Sequence, residues 1–490
     1  TVALAPYDFS RQINIESSVS GGVLSLTPTM ISRVSTPGVL EIGRSDGNAN
    51  MVVSTPLAST DVNAGTLRLY SGNISLNSGI GSSGTPLDHH LDFRANNDFD
   101  LIFSNIYLAN NRNLTIVADN DSSGFGNITL SGGTVQVGSN ASNTTGNMSL
   151  TGRSLQVLGA GGGSLVAVTG TGTQTFTTLD PAGQLRINNQ STGSGDTVLV
   201  RANGGTQTFN AAGALRIIAG AGTGTTARAE NTGVQNVTAG TIEITGGSSG
   251  TSNDAGIFQL NAASTQTVSA GGMTLSGGTS GGGLGIGNVA YLSSAGNQSV
   301  TVGSGGLTLS GGGGTGSETD NAAILIQTGT TGTSQTITVN SGGAITLSGG
   351  SSALTGVGAT HGSRALIEAD GDSQLIQFNS GGSIVGNAGT VGSRNYAVIY
   401  AQSGTQTITG SPSISLTGGS SGGITGEGNY THIWSDVGTQ TITASGITLK
   451  GGTSGTENRA QIGISGASAN QVINITGGGT VSLIGQGGTD

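Results

Sequence analysis

The residues best suited to chemistry lie in one short stretch, Asp88-His89-His90-Leu91-Asp92-Phe93-Arg94, followed by Asp98 and Asp100. An extended strand turns alternate side chains to one side, so Asp88, His90 and Asp92 would share a face. Two carboxylates flanking an imidazole suit general acid–base work or a metal. The same residues equally suit an irregular loop or a solvated strand face. A second oxygen-rich segment, Asp119-Asn-Asp-Ser-Ser-Gly124, copies the opening of a calcium loop. Asp119, Asp121 and Ser123 take its first three ligand positions and Gly124 its turn. Leu130 stands where that loop needs a bidentate Glu, and the segment also reads as a plain turn. Calcium is the one cofactor suggested, on an incomplete ligand set. No Gly-Lys-Ser/Thr follows a glycine tract, which sets nucleotide binding aside.

The elements that must position these residues come from a chain of unusual texture. Of 490 residues, 92 are Gly and only 8% are charged, against about 25% in an ordinary globular domain. So much glycine suits collagen or a disordered linker. There is no Gly-X-Y period, however, and a mean hydropathy of +0.03 is too apolar for a solvated coil. Short Ile, Val and Leu pairs recur between the glycines, the pattern of many short strands joined by tight turns. Net charge is −10, and the single lysine, Lys450, and fourteen arginines are scattered. Nucleic acid needs clustered basic side chains to displace phosphate counterions, so it is excluded as a partner. No apolar run approaches the ~20 residues that span a bilayer. Cysteine is absent, as suits a chain exported unfolded across an outer membrane. No charged-then-apolar leader opens at Thr1, so a larger precursor is expected.

A repeat organises the last two-thirds. Gln174, Gln207, Gln235, Gln266, Gln298, Gln335, Gln374, Gln406, Gln440 and Gln471 are each followed two residues later by an apolar residue, from Phe176 to Ile473. They span 297 residues in nine steps, a mean period of 33. A glycine-led second pair follows, such as Ile345 with Leu347, then a Gly/Ser/Thr tract. A third pair closes the unit, as in Val198 with Val200, Ile324 with Ile326 or Ile462 with Ile464. Three strands with inward i, i+2 pairs wrap into a triangular coil, and stacked coils bury what a lone coil cannot. The spacing leaves open whether 33 residues make one turn or more. The glutamines share the inward face, where ten stacked amides can each donate to one neighbour and accept from the other. They read as a register-holding ladder and not as a binding site. Opposite them, Thr175, Thr208, Thr267, Thr336, Thr407 and Thr441 would form an outer column broken at Leu375 and Val472. Ice-binding solenoids present such threonine arrays, although exposed Thr is also simply a good strand residue.

Residues 1–165 keep the texture at another spacing. Gly126-Asn-Ile-Thr-Leu-Ser-Gly-Gly-Thr-Val-Gln-Val returns twenty residues later as Gly146-Asn-Met-Ser-Leu-Thr-Gly-Arg-Ser-Leu-Gln-Val, after a fainter Gly72-Asn-Ile-Ser-Leu. Twenty residues suit one lean coil. The expected organisation is a solenoid of twenty-residue coils over 1–165 and ten 33-residue repeats with corner-loop insertions over 166–490. Thr1-Val-Ala-Leu-Ala-Pro-Tyr, Ile13-Asn-Ile, Gly22-Val-Leu-Ser-Leu-Thr and Gly38-Val-Leu-Glu-Ile-Gly-Arg, with the Gly-Asn-Ile-Thr-Leu motif, resemble repeats of large filamentous-haemagglutinin-like surface proteins of Gram-negative bacteria. The resemblance covers the first sixty residues. It implies a right-handed parallel β-helix, export by an outer-membrane transporter in the two-partner or autotransporter manner, and roles in adhesion, biofilm or surface fibres. The family's amino-terminal secretion domain is not recognisable, and the match is to scaffold positions, so no functional residue carries over.

The expectation is therefore an all-β, secreted or surface-exposed solenoid rod, adhesive or structural and not an enzyme. It would be part of a giant adhesin or the subunit of a fibre. Uncapped strand edges would let copies join end to end, and lateral packing is the alternative. Host or matrix glycans or proteins are the other expected partners. The rival reading is a carbohydrate-active β-helix enzyme or carbohydrate-binding module, with residues 88–100 as its site. Ice binding is a minor alternative.

Overall fold

The computed structural model describes residues 1–138, 145–159, 161–280, 287–314, 320–352, 362–423, 428–466 and 469–485, so His361 and residues 487–490 lie outside the described residues. Among the described residues almost everything is β; a short α-helix, Pro28–Ser32, is capped by the Thr27 side chain. The strands pair in parallel into a β-solenoid of about 13 turns with three strands per turn, the architecture expected from the repeats. The chain forms two compact units. The first comprises Thr1–Asn189, Thr197–Arg216 and Glu230–Thr238; the second comprises Gln190–Asp196, Ile217–Ala229 and Ala239–Asp490.

In the first unit, alternation along each strand sends every second side chain inward, and parallel pairing stacks like on like. On the first side of the coil Leu40, Leu67, Leu91, Leu114 and Met148 lie in register, and the next two rungs are Gln174 and Gln207. The second side stacks Met51, Ile74, Phe99, Ile128, Leu155 and Leu185. The third stacks Ile106, Val135, Val166 and Val200. All are at most 1% exposed. The twenty-residue similarity corrects to something other than a coil. Ile128 sits on the second side, whereas Met148, its counterpart in the later copy, sits on the first, between Leu114 and Gln174. One turn takes 23 residues from Leu91 to Leu114 and 34 from Leu114 to Met148. All three sides demand the same i, i+2 apolar pair, so a motif can recur from side to side as easily as from coil to coil.

In the second unit Gln266, Gln298, Gln335, Gln374, Gln406, Gln440 and Gln471 are in register. One second strand and one third strand separate successive glutamines, so the 33-residue repeat is one turn. The second side stacks Leu307, Ile345, Ile384, Ile414 and Ile447; the third stacks Leu292, Leu325, Ile367, Ile399 and Ile433. Here one third pair is corrected, while Ile462 and Ile464 fall in register with the inward Ile433 and Ser435 as expected. Ala323, Leu325 and Gln327 point inward, and Ile324 and Ile326 point out. The run Ala323-Ile-Leu-Ile is apolar throughout, so its sequence could not reveal which alternate set faces the core. Coil length varies where the second strand leads to the third, from Asn387 to Ala397 in one coil and from Ser348 to Ala365 in another. The corner before the glutamine strand is tight. A Cβ on Gly438, which has φ +87°, would lie 2.1 Å from the Gly404 carbonyl oxygen, so only glycine fits.

Candidate functional site

Residues 88–100 are taken up by pairing within the scaffold. Asp88 precedes the strand His90–Ala95, so it does not join the face shared by His90 and Asp92; it pairs instead with Arg112 at 2.8 Å. Asp92 is 6% exposed and sits between Arg68, at 2.8 Å, and Arg94, at 2.7 Å. His90 Nδ1 accepts the Asn113 backbone N–H at 3.0 Å, and burial, helped by Arg112 and His89, lowers its pKa. Asp98 accepts the backbone N–H of Asn127 at 2.8 Å. In the calcium-like segment, Asp119 Oδ1 accepts the Ser123 hydroxyl at 3.2 Å and the Gly124 N–H at 3.0 Å, while Asp121 Oδ1 accepts the Ser123 N–H at 3.2 Å. These oxygens close a turn on themselves. Among the described residues no three His, Asp or Glu side chains converge as a metal site requires. The outer threonine column carries Ser299 between Thr267 and Thr336, and Leu375 and Val472 break it further on.

The glutamines form runs of side-chain hydrogen bonds in which each Nε2 donates to Oε1 of the preceding rung. In the first unit Gln207 donates to Gln174 and Gln235 to Gln207, both at 2.7 Å. Gln174 has a Met as its predecessor and donates to the Val166 carbonyl at 3.1 Å. In the second unit the run continues unbroken from Gln298, donating to Gln266 at 2.8 Å, to Gln471, donating to Gln440 at 2.6 Å. The second amide hydrogen reaches a carbonyl on the third strand. Gln335 donates to Glu368 O at 2.9 Å, Gln374 to Tyr400 O at 3.1 Å and Gln406 to Trp434 O at 3.2 Å.

A second series, of asparagines, guards the other end of the same strands and was not anticipated. Oδ1 of Asn395, Asn429 and Asn458 accepts the backbone N–H of Ser363, Asn395 and Asn429 in turn, at 2.9, 2.9 and 2.8 Å. The Asn429 Nδ2 donates to Gly392 O and Ser421 O, and the Asn458 Nδ2 to Gly422 O and Ser454 O, clamping the glycine-rich corner. The third strands Ala365–Ala369, Ala397–Ala401 and Thr431–Ser435 are thus each pinned at the start by an asparagine and at the end by a glutamine.

What these strands present outward is the candidate site. Tyr396, Val398 and Tyr400 alternate on one strand, Tyr430, His432 and Trp434 lie beside them on the next, and Arg364, Leu366 and Glu368 flank them on the other side. Together with Asp436, Glu457, Arg459 and Gln461 they line a groove of about 620 Å³. The chain has seven tyrosines and one tryptophan, and three of those tyrosines and the tryptophan meet here, the tyrosines packed against a buried outer cluster that includes Ile324, Leu366 and Val398. Tyr396 and Tyr430 stack at 5.1 Å between ring centroids, Tyr430 and His432 at 4.2 Å. The Arg364 and Arg459 guanidiniums lie over Tyr396 and Tyr430 at 5.9 and 5.8 Å.

The polar groups are held as firmly. Asp436 accepts the Tyr400 hydroxyl, the Trp434 Nε1–H at 3.0 Å and the Ser465 hydroxyl at 2.7 Å. Burial works to raise the Asp436 pKa, but these three hydrogen bonds outweigh it and keep the group ionised. Glu368 is pushed up to about 7, by burial first and then by Asp370, against the pull of Arg364. Burial, with Arg459 adding to it, brings His432 down to about 3, so its ring is neutral. The groove therefore offers aromatic surface, one carboxyl poised between its two forms and one fixed carboxylate. Glu368 and Asp436 are not a close pair, because Tyr400 occupies the rung between them. Asp436 lies two coils from Glu368 and two residues past Trp434, which is the residue in line with Glu368 and Tyr400.

The sequence does carry this site. The segments Ser363-Arg-Ala-Leu-Ile-Glu, Asn395-Tyr-Ala-Val-Ile-Tyr and Asn429-Tyr-Thr-His-Ile-Trp precede successive glutamines, and their alternate residues make the groove. Comparison of the chain with protein-family models, with curated proteins and with solved structures found no match to any of them.

Proposed function

We propose that the chain is an extracellular adhesive element, in which a solenoid scaffold braced by amide ladders carries a recognition groove on the third-strand face of its second unit. The observation that carries this reading is the gathering of Tyr396, Tyr400, Tyr430 and Trp434 around one groove in a chain with only 3% aromatic residues. Ring-lined concavities with a few oriented polar groups are how proteins hold ligands. The resemblance of the first sixty residues to large surface proteins supports display outside the cell, and the lack of cysteine agrees with export. The test coats beads with the chain and measures their retention on living cell surfaces and on biofilm matrix. Retention that falls to the level of uncoated beads when Trp434→Ala and Tyr430→Ala are combined supports the reading. Retention indifferent to both substitutions defeats it.

A second reading, a carbohydrate-active enzyme, has one observation behind it, the Glu368 carboxyl raised to about 7 in the same groove as ionised Asp436. A reducing-sugar assay on candidate polysaccharides separates it from pure binding. Release of new ends that stops in Glu368→Gln would make the groove an active site.

A further inference from the structure

We infer that the groove takes a neutral, hydroxyl-rich polysaccharide segment whose sugar rings stack on the Trp434 indole. The inference rests on the adhesive reading of the groove and goes further by naming the ligand's chemistry.

The platform comes first. Trp434 points outward, and its register partner on the next coil is Gly463. A Cβ placed on Gly463 would lie 2.5, 3.0 and 3.2 Å from Cζ3, Cε3 and Cη2 of the indole, so the six-membered ring is seated on that glycine. The Nε1–H bond to Asp436 at 3.0 Å fixes the other end of the ring. An indole held at both ends loses little freedom when a ligand arrives, and it lines the groove. Pyranose rings with equatorial substituents present a face of axial C–H bonds, the partner an electron-rich ring face prefers.

The rim decides between classes of glycan. Three carboxyl groups, Glu368, Asp436 and Glu457, line the groove with two guanidiniums, Arg364 and Arg459. Arg364 is already engaged with Asp320 at 3.3 Å and Tyr396. A polyanionic chain would meet the ionised Asp436 with Arg364 already paired and Arg459 donating to His432 Nε2 at 3.4 Å, whereas sugar hydroxyls donate to carboxylates at no such cost. Glu368, standing near 7, can accept from a hydroxyl or donate to one.

The experiment titrates the full chain with cellohexaose, laminarihexaose and polygalacturonate, by calorimetry and by the fluorescence of its single tryptophan. The expected result is binding of a neutral oligosaccharide in the micromolar to low-millimolar range, with a change in tryptophan emission, and polygalacturonate at least tenfold weaker. Trp434→Ala should lose at least tenfold in affinity, Trp434→Phe should recover most of it, and Gly463→Ala, which unseats the indole without removing it, should lose about as much as Trp434→Ala. Wild-type emission keeps the test valid if a variant fails to fold. Polygalacturonate binding more tightly than both neutral sugars, or neutral sugars binding without moving the emission, overturns the inference. So does no neutral sugar binding at 10 mM. If bead retention still depends on Trp434 in that last case, only the ligand class has failed; if retention is also independent of Trp434, the adhesive reading has failed with it.

Discussion

Replacing Gln335 by Leu removes one rung from the middle of the amide ladder of the second unit. The wild-type side chain donates to Gln298 Oε1 at 2.8 Å and to Glu368 O at 2.9 Å, and accepts from Gln374 Nε2 at 2.9 Å. The substitution deletes all three bonds and strands the Gln298 oxygen, whose side chain is 2% exposed, without a donor. The bonds and the stranded oxygen together cost about 3–4 kcal/mol, and burying Leu instead of an amide returns about 1 kcal/mol. The net cost is about 2–3 kcal/mol. The damage should be lopsided, because Gln374 keeps the Tyr400 carbonyl at 3.1 Å and still accepts from Gln406, whereas Gln298 Oε1 has no second donor. Stacked repeats unfold locally, so a single global midpoint blurs the effect. Amide hydrogen exchange resolved to peptides is the suitable assay. Protection around Gln298–Val302 should fall roughly 30- to 150-fold, more than around Gln374–Phe378, with Thr336→Val on the outer face as a control within about 0.5 kcal/mol. Equal protection in Gln335→Leu and wild type, or a larger loss on the Gln374 side, would refute the account of the ladder.

Asn429→Ala removes the clamp on the corner through Gly392 O and Ser421 O and leaves the Asn395 N–H without its acceptor, so limited proteolysis at 418–423 should speed up severalfold while the core strands stay protected. Asp92→Ala leaves Arg68 and Arg94 facing each other, and the urea midpoint of the first unit should drop by the equivalent of about 2–4 kcal/mol with no change in ligand binding at the groove. Two groove residues should give opposite pH signatures. The stability from Glu368, raised to about 7 from 4.5, is full below pH 4.5 and is lost as pH rises through 7. That from His432, lowered to about 3 from 6.5, is full above pH 6.5 and is lost as pH falls towards 3. Between pH 6.5 and 4.5, Glu368→Gln should therefore lose stability relative to wild type and His432→Gln gain it, by about 2 kcal/mol each in urea titrations.

Much of the scaffold was legible in one dimension. Short apolar pairs at i, i+2 between glycines admit little besides short strands, and a glutamine returning once per repeat on the apolar face has to find amide partners, so stacking in register follows from composition and spacing alone. Other features depend on which coil side a pair occupies. The twenty-residue similarity links the second side at Ile128 to the first side at Met148, because one local pattern serves all three sides. Ile324 and Ile326 face out because every residue in their run is apolar and alternation has no visible phase. The groove was hidden for the same physical reason. Arg364, Tyr396, Tyr430 and Trp434 lie 29–34 residues from their counterparts in the following coils, and corner segments of variable length obscure the alignment. The chemistry-rich stretch from Asp88 to Asp100 stood out in sequence because it is locally dense, and folding spent that density on pairing with Arg68, Arg94 and Arg112. Composition and spacing alone dictate a glycine-punctuated parallel solenoid with an inward amide column. Which outward residues meet is set by the folded coil, because side chains one coil apart become neighbours ~4.8 Å apart through backbone pairing that linear spacing does not record.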